Sequence, residues 1–273
     1  MAAHRVAIIG LGEAGSAIAG DLAARGTAVI GWDPAVRLDR SGVTTAASAH
    51  DAAARSDVVL SINSATVAVE VAEQIAEALT DVHLYADLNT AGPPDKQRIA
   101  EIVENAGARF ADVALMAPVP GRGITTPALA SGSGGATFAE IFRPLDMPVE
   151  VVGPRAGTAA TRKLLRSVFV KGMTAAILES LQAARELGCE AWLEEQIIRT
   201  LLDADEAFVR RLIEGSRRHA GRRLIEMEQA TALLERAGVQ PHMASAARSR
   251  LRMIVADEAG RGGKPDLPRR SGP

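Results

Sequence analysis

Residues 6–15 of the chain read VAIIGLGEAG, an apolar run of β type followed by glycines at three spaced positions. In this Gly-x-Gly-x-x-Gly spacing, Gly10 permits a tight turn, Gly12 lets the backbone approach a pyrophosphate, and Gly15 lets helix and strand pack closely. The N-terminus of the following helix adds unpaired N–H groups and the positive end of its dipole. The stretch therefore predicts a dinucleotide-binding turn made by Gly10, Leu11, Gly12, Glu13, Ala14 and Gly15.

The end of the second predicted strand bears on the choice of dinucleotide. Asp33 stands there, about 20 residues beyond the turn, where an acid accepts hydrogen bonds from the adenosine ribose and repels a 2′-phosphate. Arg37 could pair with such a phosphate, or it could be a solvated loop charge. We therefore predict NAD as the cofactor, with NADP possible. Asn63 and Ser64, after the third strand, are also assigned to the cofactor site, as are Asn89 and Thr90, after the fourth strand, which could bond the nicotinamide end.

The first half of the chain alternates β-type runs with helical stretches. Strands are predicted at 6–9, 28–32, 58–62, 83–86, 110–114 and 149–152, and helices at 13–25, 51–55 and 67–79 and from Pro93. Strands that are apolar throughout and alternate with helices indicate a mostly parallel sheet covered on both faces. We therefore predict a doubly wound α/β Rossmann domain over residues 1–155.

Beyond Pro154 the β-type runs stop and helices take over. A long helix is predicted from Thr158 to Leu187, and shorter helices are predicted after it, including one from His219 to Ala237 and a last one beyond Pro241. These predict an all-α domain for substrate binding and dimerisation over 156–260, and a disordered tail at 261–273, where Gly, Pro and Arg dominate. The long helix has more apolar surface than one small domain easily covers, which predicts a homodimer. Its apolar residues include Leu164, Leu165, Val168, Ala175, Ile177, Leu178 and Leu181.

Composition excludes several classes of function. The net charge is −2 with both signs scattered, which is not the pattern of a protein that binds nucleic acid or an anionic membrane. One cysteine, Cys189, excludes an internal disulfide and suits a reducing compartment. The chain has no apolar run of about 18 residues, and the N-terminal run is too short for a signal peptide. The histidines form no ligand-spaced cluster. We expect a cytoplasmic protein with a small-molecule substrate and no metal.

Three further stretches carry a family resemblance. They are Asp87-Leu88-Asn89-Thr90-Ala91-Gly92-Pro93, the loop APVPGRG at 117–123, and Gly157-Thr158-Ala159 followed by Lys163. With the glycine turn, they resemble the β-hydroxyacid dehydrogenase superfamily, which includes 3-hydroxyisobutyrate and 6-phosphogluconate dehydrogenases. The corresponding family segments are Asp-x-Ser-(Ser/Thr)-x-x-Pro, a substrate loop Asp-Ala-Pro-Val-Ser-Gly-Gly, and Gly-x-Gly-x-x-x-Lys. This resemblance extends from residue 6 to about residue 170.

Residues 163–172 and 219–228 resemble more closely a 6-phosphogluconate-dehydrogenase-like branch whose C-terminal domain has no assigned function. The chain also departs from the superfamily pattern. Ser167 stands where an asparagine is usual, and Pro120 and Arg122 replace Ser and Gly of the substrate loop. The substrate therefore does not carry over from the better-known members.

The resemblance implies that Lys163 is the general acid/base in the interconversion of a small polar hydroxy compound, expected to be a hydroxy acid, and its carbonyl form. Hydride transfer at a nicotinamide requires that a proton also move at the oxygen. Lys163, Ser167 and Lys171 lie one helical turn apart and face one way. A crowded, water-poor cleft with a second cation favours a neutral amine. Alternatively, the lysines form the solvated stripe of an amphipathic helix.

Other residues are candidates for substrate contact. Ser167 and Asn89 are predicted to orient the substrate, because Asn89 follows the fourth strand at the sheet edge where open α/β folds place ligands; alternatively Asn89 and Thr90 cap the next helix. The predicted substrate-binding residues are Thr90, Pro120, Gly121, Arg122 and Lys171. Arg122 could grip an anion bidentately or be a solvated loop residue. A set made of His219, Arg222 and Glu226 either lines the cleft or forms a surface ion-pair ladder.

Two other functions stay open. The first is an imine reductase or reductive aminase of related architecture, in which the family lysine is usually replaced, so the presence of Lys163 argues against it. The second is a non-catalytic NAD(P) sensor, which the intact lysine segment also disfavours.

Overall fold

The computed structural model describes residues 4–37 and 40–261. They form two compact units that divide between Arg166 and Ser167. The first contains one sheet with its flanking helices, and the second is helical. The domain boundary at 155/156 stays a prediction, since the division between units falls inside the long helix. The predicted tail lies outside the described residues, except for Arg261, which ends the last helix.

Eight strands form one sheet. They are Arg5–Ile9 (β1), Ala28–Trp32 (β2), Val43–Thr45 (β3), Val58–Ser61 (β4), Leu84–Asp87 (β5), Arg109–Leu115 (β6), Ala128–Ser131 (β7) and Val149–Gly153 (β8). Their order is β3-β2-β1-β4-β5-β6-β7-β8, and all neighbours are parallel except β6 and β7. The strand order changes direction between β1 and β4, and in open α/β sheets ligands bind outside the carboxyl ends of the strands at such a point.

The helices lie around and after this sheet. The first unit has Glu13–Ala24 (α1), Ala49–Ala54 (α2), Ala68–Ile75 (α3), Pro93–Asn105 (α4) and Gly135–Phe142 (α5). Helix Thr158–Glu186 (α6) begins in the first unit, and the second contains Glu190–Leu202 (α7), Glu206–Arg218 (α8), Ala220–Arg236 (α9) and His242–Arg261 (α10). The predicted fold class, a mostly parallel Rossmann domain followed by an all-α region, is confirmed. None of the helices in the described ranges is long and apolar enough to cross a membrane.

The sheet is buried on both faces, which explains why its central strands are apolar throughout. In β1, Val6 and Ile8 belong to one hydrophobic cluster, whereas Ala7 and Ile9 belong to a second. Successive side chains of a strand point to opposite faces, so a strand with a core on each side has no polar face. This arrangement leaves the strand ends as the places where polar groups can gather.

Three elements have no counterpart in the sequence prediction: β3, β7 and α5. Strand β3 is a three-residue edge strand with two exposed threonines, and β7 reads ALAS, which lacks β-branched residues. Helix α5 follows a glycine-rich segment, which is a weak helix signal. Its buried Phe138 and Phe142 stack on one another against the sheet, so tertiary packing decides this helix.

Candidate active site at the carboxyl edge of the sheet

The glycine turn links the end of β1 to α1. Gly10 has φ +105°, and a Cβ on it would lie 2.2 Å from the carbonyl oxygen of Ile62. A Cβ on Gly15 would lie 1.9 Å from the carbonyl oxygen of Gly10, so the packing of the chain itself requires both glycines. A Cβ on Gly12 would meet no atom of the described residues within 4 Å. The space beside Gly12 therefore suits a ligand that approaches the backbone, as a pyrophosphate does.

Asp33 follows β2 and ties the turn in place. Its carboxylate accepts hydrogen bonds from the backbone N–H of Leu11 at 2.8 Å, of Ala35 at 2.8 Å and of Val36 at 2.9 Å. Desolvation raises the pKa of Asp33, but these three donors and the charge of Arg37 together outweigh it, so the pKa is lowered. Arg37 itself donates to the backbone oxygen of Asp33 at 3.2 Å and is exposed. Asp33 is thus an ionised acceptor that fixes the turn.

A cleft of about 460 Å³ opens beside these groups. Most of the predicted cofactor contacts outside α1 line it: Gly10, Gly12, Asp33, Asn63 and Ser64. Asn63 Oδ1 is buried and has no hydrogen-bond partner within the described part of the chain. A buried acceptor without a partner is unfavourable, so a ligand donor that reached it would stabilise the site.

The other three predicted turn residues act through the backbone. Leu11 is buried and gives its N–H to Asp33, while Glu13 and Ala14 stand in the first turn of α1. No side chain among the described residues caps α1, whose N-cap is Gly12. Its first amides are therefore available to an anion, and the residues present fit a dinucleotide.

A second polar group lies at the end of β5. Lys163 Nζ donates a hydrogen bond of 2.8 Å to Thr90 Oγ1. Thr90 is exposed and Lys163 is half-buried, so this pair is open to solvent at the carboxyl edge of the sheet. The structure thus brings together two residues that are 73 positions apart and that the sequence assigned to one site.

Asn89 is buried, and its amide is used inside the protein. Its Oδ1 accepts from the backbone N–H of Asn63 at 2.7 Å, and its Nδ2 donates to Ser61 Oγ and to Asp87 Oδ1. Asn89 therefore links the end of β4 to the end of β5. The alternative interpretation of Asn89 and Thr90 as helix caps is wrong, because the N-cap of α4 is Gly92.

The predicted substrate loop lies beyond β6. Pro120, Gly121 and Arg122 are exposed, and the next residues form a 3-10 turn at Gly123–Thr125. Asp21 of α1 accepts a hydrogen bond from the backbone N–H of Ile124 at 2.9 Å. The structure therefore anchors this loop on the helix that follows the glycine turn.

The remaining candidates belong to the second unit. Ser167 is half-buried and Lys171 is exposed, both on α6, and their roles stay predictions. Arg222 and Glu226 are separated by one turn of α9, and their side chains form an exposed ion pair of 3.5 Å. This contact is the one expected if these residues form a surface ion-pair ladder. Throughout residues 4–37 and 40–261, the structure has no group of three or more His, Cys, Asp or Glu side chains that could hold a metal ion.

Sequence reasoning missed a buried ionic network behind the site. Lys96 of α4 is 1% exposed, and Asp87 and Asp112 are 0% exposed. Lys96 Nζ lies 3.2 Å from Asp87 Oδ2 and 3.3 Å from Asp112 Oδ1, and it donates to the backbone oxygen of Asp87 at 2.7 Å. One signal was present: acids stand among the buried and mostly apolar residues of β5 and β6, where a buried charge requires a partner.

The same network anchors the start of α6. Asp112 Oδ2 accepts from the backbone N–H of Gly157 at 3.0 Å and of Ala160 at 3.1 Å. Ser131 Oγ accepts from the backbone N–H of Ala159 at 3.0 Å and donates to Asp112. An acid at a helix N-terminus satisfies unpaired amides and complements the dipole. These contacts hold the turn of α6 that precedes Lys163.

Two family models match the chain. Residues 5–125 match the NAD binding domain of 6-phosphogluconate dehydrogenase, and residues 184–254 match a domain of unknown function, DUF1932. The first contains the glycine turn and Asp33, and the second contains the stretch at 219–228 that resembles the branch with an unassigned domain. The predicted resemblance and the predicted nicotinamide dinucleotide are confirmed.

Individual relatives agree with these matches. The chain is 25% identical over 200 residues to a probable 3-hydroxyisobutyrate dehydrogenase of Mycobacterium bovis. The aligned region covers 68% of this chain and 66% of that protein. It is 27% identical to a conserved protein of unknown function described as structurally similar to 3-hydroxyacid dehydrogenases, with a TM-score of 0.62 and coverage of 93% and 98%. An imine reductase from Myxococcus stipitatus, solved with NAD⁺, is 20% identical, with a TM-score of 0.81 and 96% coverage of each chain. At that identity the likeness concerns the fold alone.

Proposed function

We propose that this chain, whose residues 5–125 match the NAD binding domain of 6-phosphogluconate dehydrogenase and whose residues 184–254 match DUF1932, interconverts a small polar hydroxy compound and its carbonyl form with NAD(P). The observation that carries the proposal is the hydrogen bond from Lys163 Nζ to Thr90 Oγ1 at the carboxyl edge of the sheet. A proton-transfer group at this edge stands where the fold presents ligands. When bound, the nicotinamide supplies the site that takes up or gives the hydride.

The cofactor-binding half of the site is the more completely built. The space beside Gly12 and the first amides of α1 would receive the pyrophosphate. Asp33 would accept hydrogen bonds from the ribose hydroxyls. Asn63 offers its unpaired Oδ1 to a donor of the cofactor. Asn89 acts indirectly, because it holds the backbone of Asn63.

Lys163 moves the proton. As an ammonium it donates a proton to the carbonyl oxygen during reduction, and as an amine it accepts the hydroxyl proton during oxidation. Thr90 Oγ1 orients the amine. Of the 31 basic residues that are lysine or arginine, only four are lysines: Lys96, Lys163, Lys171 and Lys264. An arginine could not do this work, because a guanidinium does not release its proton near neutral pH.

The substrate we propose is a hydroxy acid. Arg122 is exposed on a loop that Asp21 fixes to α1, and a guanidinium binds a carboxylate bidentately. Ser167 and Lys171, further along α6, are the proposed contacts for the remaining polar groups. Pro120 and Gly121 shape the loop around Arg122.

Activity assays separate this function from its two rivals. The full-length protein is assayed with NAD(H) and NADP(H) against hydroxy acids, sugar acids, the corresponding oxo acids and cyclic imines. We expect turnover of a hydroxy acid and its oxo acid, and its loss in Lys163→Ala. Turnover of imines alone, unaffected by Lys163→Ala, would indicate an imine reductase. Tight cofactor binding without turnover of any compound would indicate a sensor.

We also propose that the protein is a homodimer. Many apolar side chains of the second unit are exposed on α6 to α8 and the turn after α6: Val168, Phe169, Leu178, Leu187, Trp192, Ile198, Leu201, Leu202, Val209, Leu212 and Ile213. Large exposed apolar surfaces on soluble proteins usually mark contact with a partner, and we propose that a second copy of the chain covers these side chains.

A further inference from the structure

The network around Lys96 joins the two segments that carry the proposed catalytic pair. On one side, the amine of Lys96 contacts both the backbone oxygen and the carboxylate of Asp87. Asp87 Oδ1 accepts from the backbone N–H and the side chain of Asn89, the residue before Thr90. Lys96 therefore reaches the segment that presents the Thr90 hydroxyl.

On the other side, Lys96 contacts Asp112, whose second oxygen accepts from the backbone of Gly157 and Ala160. Lys163 lies one helical turn beyond Ala160, so a shift of this anchor would displace its amine relative to Thr90. Asp87 and Asp112 are directly opposite each other on β5 and β6. Because two like charges at these positions repel, the ammonium between them offsets the repulsion and links the segments attached to the two strands.

We infer that Lys96 is a positioning residue of the proposed active site, which sets the placement of Lys163 against Thr90 through Asp87 and Asp112. The inference rests on the proposed function for its catalytic meaning. A buried ion pair is by itself weak evidence for stability, because apolar residues often replace one without loss. Here, however, the hydrogen bonds of both carboxylates are made to Asn89 and to the start of α6.

The scarcity of lysine makes the inference testable without a known substrate. With lysine-selective ¹³C labelling, the protein gives signals from only four residues, which Arg substitutions at Lys163, Lys171 and Lys264 assign. Two variants are compared with the wild type: Lys96→Met, and Lys96→Met with Asp87→Asn. The double variant keeps the native sum of one excess negative charge in the cluster, so we expect it to fold even where the single variant, with two uncompensated buried carboxylates, does not. Phe138→Leu is the control, since Phe138 is buried in the same unit on α5.

We expect the Lys163 signal to shift or broaden in either Lys96 variant, and amide exchange at residues 157–163 to accelerate by about tenfold or more as the anchor opens. NADH affinity should fall much less than it does in Asp33→Ala, because the glycine turn and Asp33 keep their contacts. Phe138→Leu should lower the melting temperature without moving the Lys163 signal. An unmoved Lys163 signal and unchanged exchange in a folded Lys96 variant, or the same changes in Phe138→Leu, would overturn the inference.

The outcome is separable from that of the proposed function. If the wild type turns over a hydroxy acid, Lys96→Met should lower kcat more than it changes KM. If no compound is turned over but the Lys163 signal moves as expected, the positioning role stands and the proposed reaction is wrong.

Discussion

Lys163 illustrates what the structure adds at the scale of one residue. Its spacing from Gly157 is the spacing of the catalytic lysine in the family segment that it resembles, but a lysine on a helix is usually solvated. In the structure its amine donates a hydrogen bond to the hydroxyl of Thr90, and the Lys163 side chain is half-buried. The sequence is enough to name both residues, whereas their contact depends on how β5 and α6 are placed by the sheet.

We predict that Lys163→Ala lowers kcat on a confirmed substrate by about 10²–10⁴-fold, the usual contribution of a general acid–base group. Lys163→Arg should be nearly as inactive, because its side chain does not give up a proton. Steady-state kinetics measure both effects, and NADH titration should show unchanged affinity.

The matched control is Lys171→Ala, a second lysine of α6 that is exposed. It should cost much less activity. Near-normal turnover in Lys163→Ala would mean that another group transfers the proton, and the catalytic assignment would have to be abandoned.

Asp33 carries the second prediction at this scale. We expect NAD(H) to bind more tightly than NADP(H), because a 2′-phosphate would approach an ionised carboxylate whose pKa is lowered by its backbone donors. Asp33→Ala should weaken both cofactors, since the turn loses the bond to Leu11, but should narrow the ratio between them. Calorimetric titration of each cofactor measures that ratio. A wild-type preference for NADP(H) of about tenfold, or 1.4 kcal/mol, would contradict the prediction.

At the scale of elements, the start of α6 depends on a side chain from β7. Ser131 Oγ is buried, accepts from Ala159 and donates to Asp112. We predict that Ser131→Ala lowers the free energy of unfolding by about 1–3 kcal/mol, because it leaves buried polar groups unpaired. Urea unfolding measures the change. Thr137→Ala, which loses only an exposed hydrogen bond with Arg109, should stay within about 0.5 kcal/mol, and an equal loss in both would remove the special role of Ser131.

The opposite end of the sheet supplies a pH-dependent contact between β1 and the residue before β4. Arg5 donates to both carboxylate oxygens of Asp57, and this side-chain hydrogen bond is the main cause that lowers the pKa of Asp57. Because the pKa of Asp57 is lower in the folded protein than in the unfolded chain, the Arg5–Asp57 pair stabilises the fold fully at pH values above the unfolded pKa of about 3.9. This stabilisation is lost as the pH falls through the folded pKa of Asp57.

Asp57→Asn should therefore destabilise the protein at pH 7, and the difference from the wild type should shrink as the pH falls below about 4. Unfolding midpoints measured from pH 7 down to pH 3 give this comparison. A difference that persisted unchanged into acid would show that the ionised pair is not its cause.

Elements differ in how far the sequence foretells them. Strand β1 and the glycine turn were predictable, because a fully buried parallel strand is continuously apolar and a pyrophosphate turn requires glycine. Strand β7 was not, because small alanines pack there by tertiary contact and carry little β preference. The Lys96 network was not predicted for a related reason: its three charged residues belong to separate elements, which come together only in the folded protein.

For the whole molecule, the alternation of elements was enough to predict a mostly parallel sheet and the helical region after it. The antiparallel pairing of β6 with β7 lies outside that rule, because residues 116–127 join these strands through a loop with one 3-10 turn and no crossover helix. The candidate site was predictable from topology, since the ends of β1, β2, β4 and β5 meet at one edge.

Assembly is the property of the whole molecule that the exposed apolar side chains bear on most directly. Val168 is 74% exposed and Leu178 is 62% exposed on α6, and more apolar residues are exposed on α7 and α8. We predict that the wild type is a dimer at micromolar concentration by light scattering, with an interface above about 1,000 Å². Replacing both Val168 and Leu178 with Glu should give a monomer, because two buried charges would face the partner unpaired. Val82→Glu, at a position 66% exposed on the first unit, should leave the dimer intact. A wild-type monomer would refute the prediction.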